Sequence, residues 1–294
     1  MKIAVFSKNS GKTDENFVLY VVNFLKEYRH EVLIHDQFAY LFPGLLTFAD
    51  YNDLKENISV DFLFSLGGDG TFLDAAGIIA DLNIPLVGIN TGRIGFLTGI
   101  NKNDFACAFD MLRLGHFDIE ERALLKLEVR DFVPDNRRFA LNDITIHSSG
   151  GSYLNTINVW IDGQKVNTYW ADGLIVSTPT GSTAYSLSCG GPIIMPSASV
   201  NVITPIASHS LSVRPIVVPD EGIIEIDIEG RSKNFILSYD SHRMEIPNPA
   251  SLIIRKEDFV IKTVRFNSMD FFSVIREKLM WGLDRRNEGH EETD

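Results

Sequence analysis

Cysteine is nearly absent from this chain: Cys107 and Cys189 are the only two in 294 residues, and neither lies in a CxxC or a Cys/His cluster. That excludes a disulfide framework and a structural zinc knot, and it points to a reducing, cytoplasmic setting. Positive charge is also short, with 27 Lys and Arg against 39 Asp and Glu and a net charge of −12. Such a surface repels nucleic-acid phosphates and anionic lipid, so salt-driven binding to nucleic acid or membrane is not expected. No apolar run approaches the roughly 18 residues a spanning helix needs. The opening MKIAVFS turns polar at Lys8, Asn9 and Ser10, which leaves no signal-peptide core. Several catalytic signatures are missing as well. Ser10-Gly11-Lys12-Thr13 looks like the end of a P-loop, but Phe6 stands where its first glycine belongs. Gly68-Asp69-Gly70 is followed by Leu73 where a dinucleotide fingerprint has its third glycine. GxSxG and HExxH do not occur, so serine-hydrolase and zinc-protease readings have no foothold.

What is present has the profile of a soluble globular protein, with 45% hydrophobic and 22% charged residues, enough for one large or two modest domains. Residues 2–7 read as a buried strand, and Phe17, Val21, Phe24, Leu25 and Tyr28 recur at helical spacing. Val32–Ile34, Asp61–Leu66 and Ile84–Asn90 are further apolar runs, with a helix-like stretch over Phe72–Leu82. Strands alternating with helices predict an α/β domain with a mostly parallel sheet over residues 1–119. From about residue 120 to 269 the texture becomes β-rich. Alternating runs at Leu125–Val129, Phe139–Ile146, Ile157–Ile161, Ile223–Ile228 and Phe235–Tyr239 are separated by turn residues. Phe271–Trp281 regains a helical pattern, so residues 270–283 are expected to return to the first domain, and 284–294 reads as a flexible, charged tail.

Two glycine-rich blocks concentrate the chemistry. Gly67-Gly68-Asp69-Gly70-Thr71 sits between an apolar strand and a helix, where backbone amides and the positive end of a helix dipole converge and can hold phosphate without lysine. An aspartate there costs electrostatic energy unless it handles a proton or a divalent ion. The plain alternative, an Asp that caps its helix, is compatible with catalysis. The second block, from Ala171 to Pro192, runs out of a strand at Gly173–Ser177 into a loop dense in hydroxyls and glycines, with one exposed-type aromatic, Tyr185. It suits a nucleoside, or is an ordinary Ser/Thr-rich turn.

These blocks carry a family resemblance. GGDGT at 67–71, NTGRIGFLT at 90–98, Asn142-Asp143 within LNDITIH, ADGLIVSTPTGSTAYSLSCGGPII at 171–194 and TPIASHSLSVRPIVVP at 204–219 follow one another as in the ATP-NAD kinase family, which phosphorylates the 2′-hydroxyl of the adenosine ribose of NAD to make NADP. GGDGT alone is shared with lipid kinases and, in close variants, with phosphofructokinases; the later block is more specific. The resemblance implies the two-domain layout, a homodimer or homotetramer, NAD and ATP as substrates, and Mg²⁺ or another divalent metal. It makes Asp69 the general base, with Gly67, Gly68, Gly70 and Thr71 forming the phosphate loop. Asn142 and Asp143 would hold the ribose or nicotinamide part of NAD, and Asp172, Thr180, Thr183, Ala184, Tyr185 and Ser188 would line the dinucleotide. Asp240-Ser241-His242 matches, more loosely, a turn closing on the adenosine.

The chain departs from the pattern in two places. The pair is usually Asn-Glu, and Asp143 is one methylene shorter. The aspartate turn is commonly followed by Gly-Gln, whereas Ser241-His242 stands here. Arg93 and Arg214 lie near matching blocks, where a salt bridge and a phosphate contact are equally open readings. A lipid kinase and a catalytically silent NAD(P) sensor are the rival functions. The second glycine-rich block and the lack of a basic amphipathic helix argue against the first, and an acid at the phosphate loop argues against the second.

Overall fold

In the computed structural model, strand residues of the first sheet send alternate side chains to opposite faces, and each face has its own core. The structure describes residues 1–8, 15–57, 59–92, 95–130, 138–150, 154–266 and 271–280. Ile3 and Val5 face helices α1 (Glu15–Glu27) and α4 (Phe105–Arg113), meeting Val18, Val21, Leu25, Phe105 and Phe109. Ala4 and Phe6 face the opposite way, toward α2 (Tyr51–Asn57) and α3 (Asp69–Ile79), and meet Leu54, Phe72, Ala75 and Ile79. Burial on both faces explains why these strands read as unbroken apolar runs.

The parallel strands run in the order Leu46–Phe48, Glu31–His35, Lys2–Ser7, Phe62–Leu66, Leu86–Asn90. Connections leave Lys2–Ser7 toward one side and Phe62–Leu66 toward the other. A crevice therefore opens at the carboxyl ends of these two strands, the position where open α/β sheets bind ligands. Gly67–Thr71 follows one strand directly, and Lys8 follows the other.

The second half forms two antiparallel sheets, each of six strands among the described residues, which face each other across one core. Leu127, Ile157, Ile226 and Leu252 come from one sheet, and Ile144, Leu174, Val176, Phe235 and Leu237 from the other. Gly173–Ser177 lies centrally, between Asp143–Ser148 and Val200–Ile206.

Three sequence expectations need correction. The helix after GGDGT starts at Asp69 rather than Phe72, because Gly68 already accepts from the Thr71 and Phe72 amides. The apolar run Phe139–Ile146 is two strands in different sheets, Phe139–Ala140 and Asp143–Ser148. The chain crosses at Leu141-Asn142, where a side chain takes the amides a ladder would have used. Ile261–Arg265, read as part of the β-rich half, pairs with Leu86–Asn90 and Asp118–Arg122 in the first sheet. The return to that sheet thus begins before α6 (Phe271–Leu279). The tail at 284–294 and the Ser10–Thr13 motif lie outside the described residues.

Leu141 belongs to the crossing between the sheets, yet its side chain is fully buried in the core that holds Phe72 and Ala75 of α3. Leu141→Ala is expected to cost about 2–5 kcal/mol, read as a lower urea midpoint at unchanged slope. A loss below about 1 kcal/mol would show that this crossing is not a packed joint.

Candidate active site at the sheet crevice

The phosphate loop is shaped by close contacts. Gly67 is buried, and a Cβ on it would lie 2.3 Å from Thr71 Oγ1. Gly68 and Gly70 are exposed, with open space where a side chain would stand. The amides of Asp69 and Gly70 precede the first intrahelical donor, so α3 presents them, with its dipole, to the crevice.

Asp69 is held by backbone. Its Oδ2 accepts from the Phe96 amide at 2.8 Å, while Oδ1 accepts from the amides of Leu97 and Thr98 at 3.1 and 3.2 Å and from Thr98 Oγ1 at 3.2 Å. Asn90 Nδ2 donates to the same Thr98 hydroxyl at 2.8 Å. Gly95 allows the approach: a Cβ there would sit 1.7 Å from Asp69 Oδ1. The donors are unevenly divided, so Oδ2 keeps acceptor capacity that Oδ1 has spent.

The second site element is built around Asp240, whose backbone has a φ of 50°. Its carboxylate accepts from the amides of Leu141 at 2.7 Å, Asn142 at 2.8 Å and Asp143 at 3.4 Å. The Asp240 amide in turn donates to the Asp143 carbonyl at 3.1 Å. Asn142 is clamped from the other side as well. Its carbonyl accepts from the Thr178 amide at 2.9 Å, and Thr178 Oγ1 donates to the Leu141 carbonyl at 2.6 Å. A Cβ on Gly181 would meet the Asn142 carbonyl oxygen at 2.1 Å, which explains that glycine in the hydroxyl-rich loop. The backbone of Asn142 is thus engaged on both sides, while its side-chain Oδ1 is buried without a partner among the described residues. An orphaned buried acceptor is the state expected of a group reserved for a ligand donor.

Burial raises the Asp143 carboxyl from 3.8 to about 6, opposed by a hydrogen bond from Thr145 Oγ1. Burial also raises Asp240 to about 6, with Asp143 adding repulsion and the three amides opposing the rise. Tyr185 is held above its usual range first by burial, then by Cys189, and more weakly by Asp143 and Asp172, which places the exposed phenol beside these acids. Thr180 is buried and accepts from Arg122 Nη1 at 3.4 Å, so the loop also touches the first sheet. Thr183 donates to the Thr180 carbonyl; Ala184 is half-buried, and Ser188 is exposed at the end of the short helix Tyr185–Ser188.

His242 is exposed and stacks on the Tyr239 ring, with centroids 5.1 Å apart. Arg214 donates to the carbonyls of Leu211 and Val213, and Arg93 lies outside the described residues. Sequence reasoning missed the Phe96–Thr98 amides, Gly95 and Arg122. Amides have no side-chain signature, and only Gly95 within the quoted 90–98 block hinted at a close approach. A cavity of about 500 Å³ between α6 and the first sheet is lined by Phe72, Phe96, Arg122, Phe271 and Phe272 among others, and so adjoins the residues that hold Asp69. None of the predicted site residues lines it.

With this geometry in view, comparison with known proteins is direct. The ATP-NAD kinase N-terminal domain matches residues 48–116, and its C-terminal domain matches 141–266. An NAD kinase of Cytophaga hutchinsonii is 41% identical over 279 residues, covering 92% of this chain and 94% of the relative. The chain belongs to the ATP-NAD kinase family. An NAD kinase of Bacteroides fragilis is 40% identical, covering 97% of this chain and all of the relative. Among solved members of the family, yeast NADH kinase complexed with NADH superposes with a TM-score of 0.86 at 25% identity, covering all of this chain and 90% of that one. An Archaeoglobus fulgidus NAD kinase in complex with ATP gives 0.74 at 27% identity, covering 95% and 99%.

The two acids give a pH prediction. Their folded values lie above the unfolded value, so between about 4 and 6 the folded state holds more protons and stability falls as pH rises. Asp143→Asn should make that fall shallower in denaturant titrations of the ligand-free protein; an unchanged pH dependence would contradict the assignment.

Proposed function

We propose that this protein transfers the terminal phosphoryl group of ATP to the 2′-hydroxyl of the adenosine ribose of NAD, giving NADP. The observation that carries the reading is the joint at Leu141. Leu141, next to the Asn142-Asp143 pair, lies in the same core as Phe72 and Ala75 of α3, which supports a reading in which the pair and the Asp69 loop address one ligand. The solved relatives bound to NADH and to ATP support NAD as acceptor and ATP as donor.

In this reading Asp69 is the general base. Amides of residues 96–98 orient its carboxylate, and Oδ2 accepts the hydroxyl proton as the phosphoryl group arrives. The transition state of such transfers is loose, so a strong base is unnecessary and alignment dominates. The α3 amides at Asp69 and Gly70 stabilise charge on the moving group. Asn142, through its orphaned Oδ1, and Asp143 hold the ribose or nicotinamide portion, while Asp172, Thr180, Thr183, Ala184, Tyr185 and Ser188 line the rest. Among the described residues no group of three His, Cys, Asp or Glu side chains is placed to hold a metal. In this reading Mg²⁺ or another divalent cation arrives with the ATP phosphates and would screen their charge.

The same reading includes a homodimer or homotetramer in a reducing cytoplasm. Trp170 and Leu211 are exposed at 53% and 93%, and Ile216 and Val217 lie nearby on an edge strand, an apolar strip of the kind that pairs with another copy. Among the described residues no helix is long and apolar enough to cross a membrane.

Asp69→Asn should retain NAD affinity within a few-fold while turnover drops by at least ~10². Near-full activity in that variant would remove Asp69 from the base role. Complete chelation of divalent ions should abolish NADP formation, and turnover that persists without them would contradict Mg·ATP as donor.

A further inference from the structure

We infer that Asp74 is a positioning residue, which sets the placement of Asp69 relative to the Asn142-Asp143 pair by bonding across the crevice to Ser241. Asp74 lies on α3, in the same rigid helix that begins at Asp69. Its Oδ1 accepts a hydrogen bond from Ser241 Oγ, and its Oδ2 forms an ion pair with Lys8, the residue that follows the strand Lys2–Ser7 at the crevice. Ser241 is the neighbour of Asp240, whose carboxylate holds the amides of residues 141–143. The path from one site element to the other is therefore short: Asp69, one and a half turns of helix, one side-chain bond, and a turn already locked by three amides.

The residue types fit that task. Ser241 supplies the hydroxyl that donates to Asp74, which glycine or alanine in its place could not do. The Asp74 side chain is only 20% exposed, and its two carboxylate oxygens are divided between the Lys8 ammonium and the Ser241 hydroxyl. Lys8 and Asp74 both belong to the first domain, whereas Ser241 belongs to the second. Removing Ser241 Oγ thus cuts the crossing and leaves the ion pair intact.

The inference rests on the kinase reading, so the wild-type chain must first form NADP from NAD and Mg·ATP in the same assay; failure there would count against that reading, not against the bond. Ser241→Ala should then keep its melting temperature within about 2 °C. It should keep KM for NAD within about twofold while kcat falls roughly tenfold, the pattern of a misaligned but bound substrate. Ser241→Thr, which retains the hydroxyl, should recover most of the kcat. Asp74→Asn combined with Ser241→Ala should be no slower than the slower single variant within about twofold, because both remove one interaction. Wild-type kcat in Ser241→Ala, no rescue by threonine, or losses that multiply in the double variant would overturn the inference. If Asp74→Asn does not fold, the Ser241→Ala and Ser241→Thr pair decides alone.

Discussion

A carboxylate taken out of water is tolerable only when donors replace the water it loses, and Asp240 meets that condition with the amides of Leu141, Asn142 and Asp143. Those amides sit where the chain leaves one antiparallel sheet for the other. With their hydrogen bonds satisfied by a side chain, the crossing needs no ladder partner, and Leu141 is free to bury itself against α3. Thr178 then follows the Asn142 carbonyl, and Gly181 lets the hydroxyl-rich loop close over it. The substrate-facing part of the second domain is thus a consequence of one buried acid.

The same logic governs the first domain. A chain with a net charge of −12 has few cations to spare for anionic ligands, and Lys8 at the crevice is already paired with Asp74. Oriented amides stand there as well, at the start of α3 and, for Asp69 itself, at residues 96–98. Amides are already part of the backbone and stay fixed when the loop is rigid, so their field is present before the substrate arrives. Two further acids, Asp143 and Asp240, are both raised by burial, and Asp143 raises Asp240 further, an arrangement that disfavours a second negative charge there.

Much of this was legible in the residues. Strand alternation marked Leu125–Val129 and Ile157–Ile161 because one face of each is buried, and the continuous runs of the first sheet marked strands covered on both sides. GGDGT announced a strand-to-helix junction, and the Asn142-Asp143 pair stood out through its resemblance. Asp240 was the weakest match and proved structurally central, since its partners lie 98 residues away in sequence and leave no local pattern. For the same reason the break at Leu141-Asn142 looked like one strand. Ile261–Arg265 has the same alternation whichever sheet it joins, so its pairing with Leu86–Asn90 could not be read from spacing. His242 drew notice as a titratable side chain, and among the described residues its ring stacks on Tyr239.

The strand Ile261–Arg265 also bears on how the protein comes into being. It fills the place between Leu86–Asn90 and Asp118–Arg122, so the first sheet is incomplete until a segment far later in the chain has been made. During synthesis the early βα units emerge with the Leu86 end of Leu86–Asn90 unpaired, its other end meeting Ile100–Asn101, while the β-rich half is still being added. Assembly of the crevice therefore waits on nearly the whole polypeptide, and a ribosome that stalls before residue 261 releases a fragment that carries the GGDGT loop on an unfinished sheet.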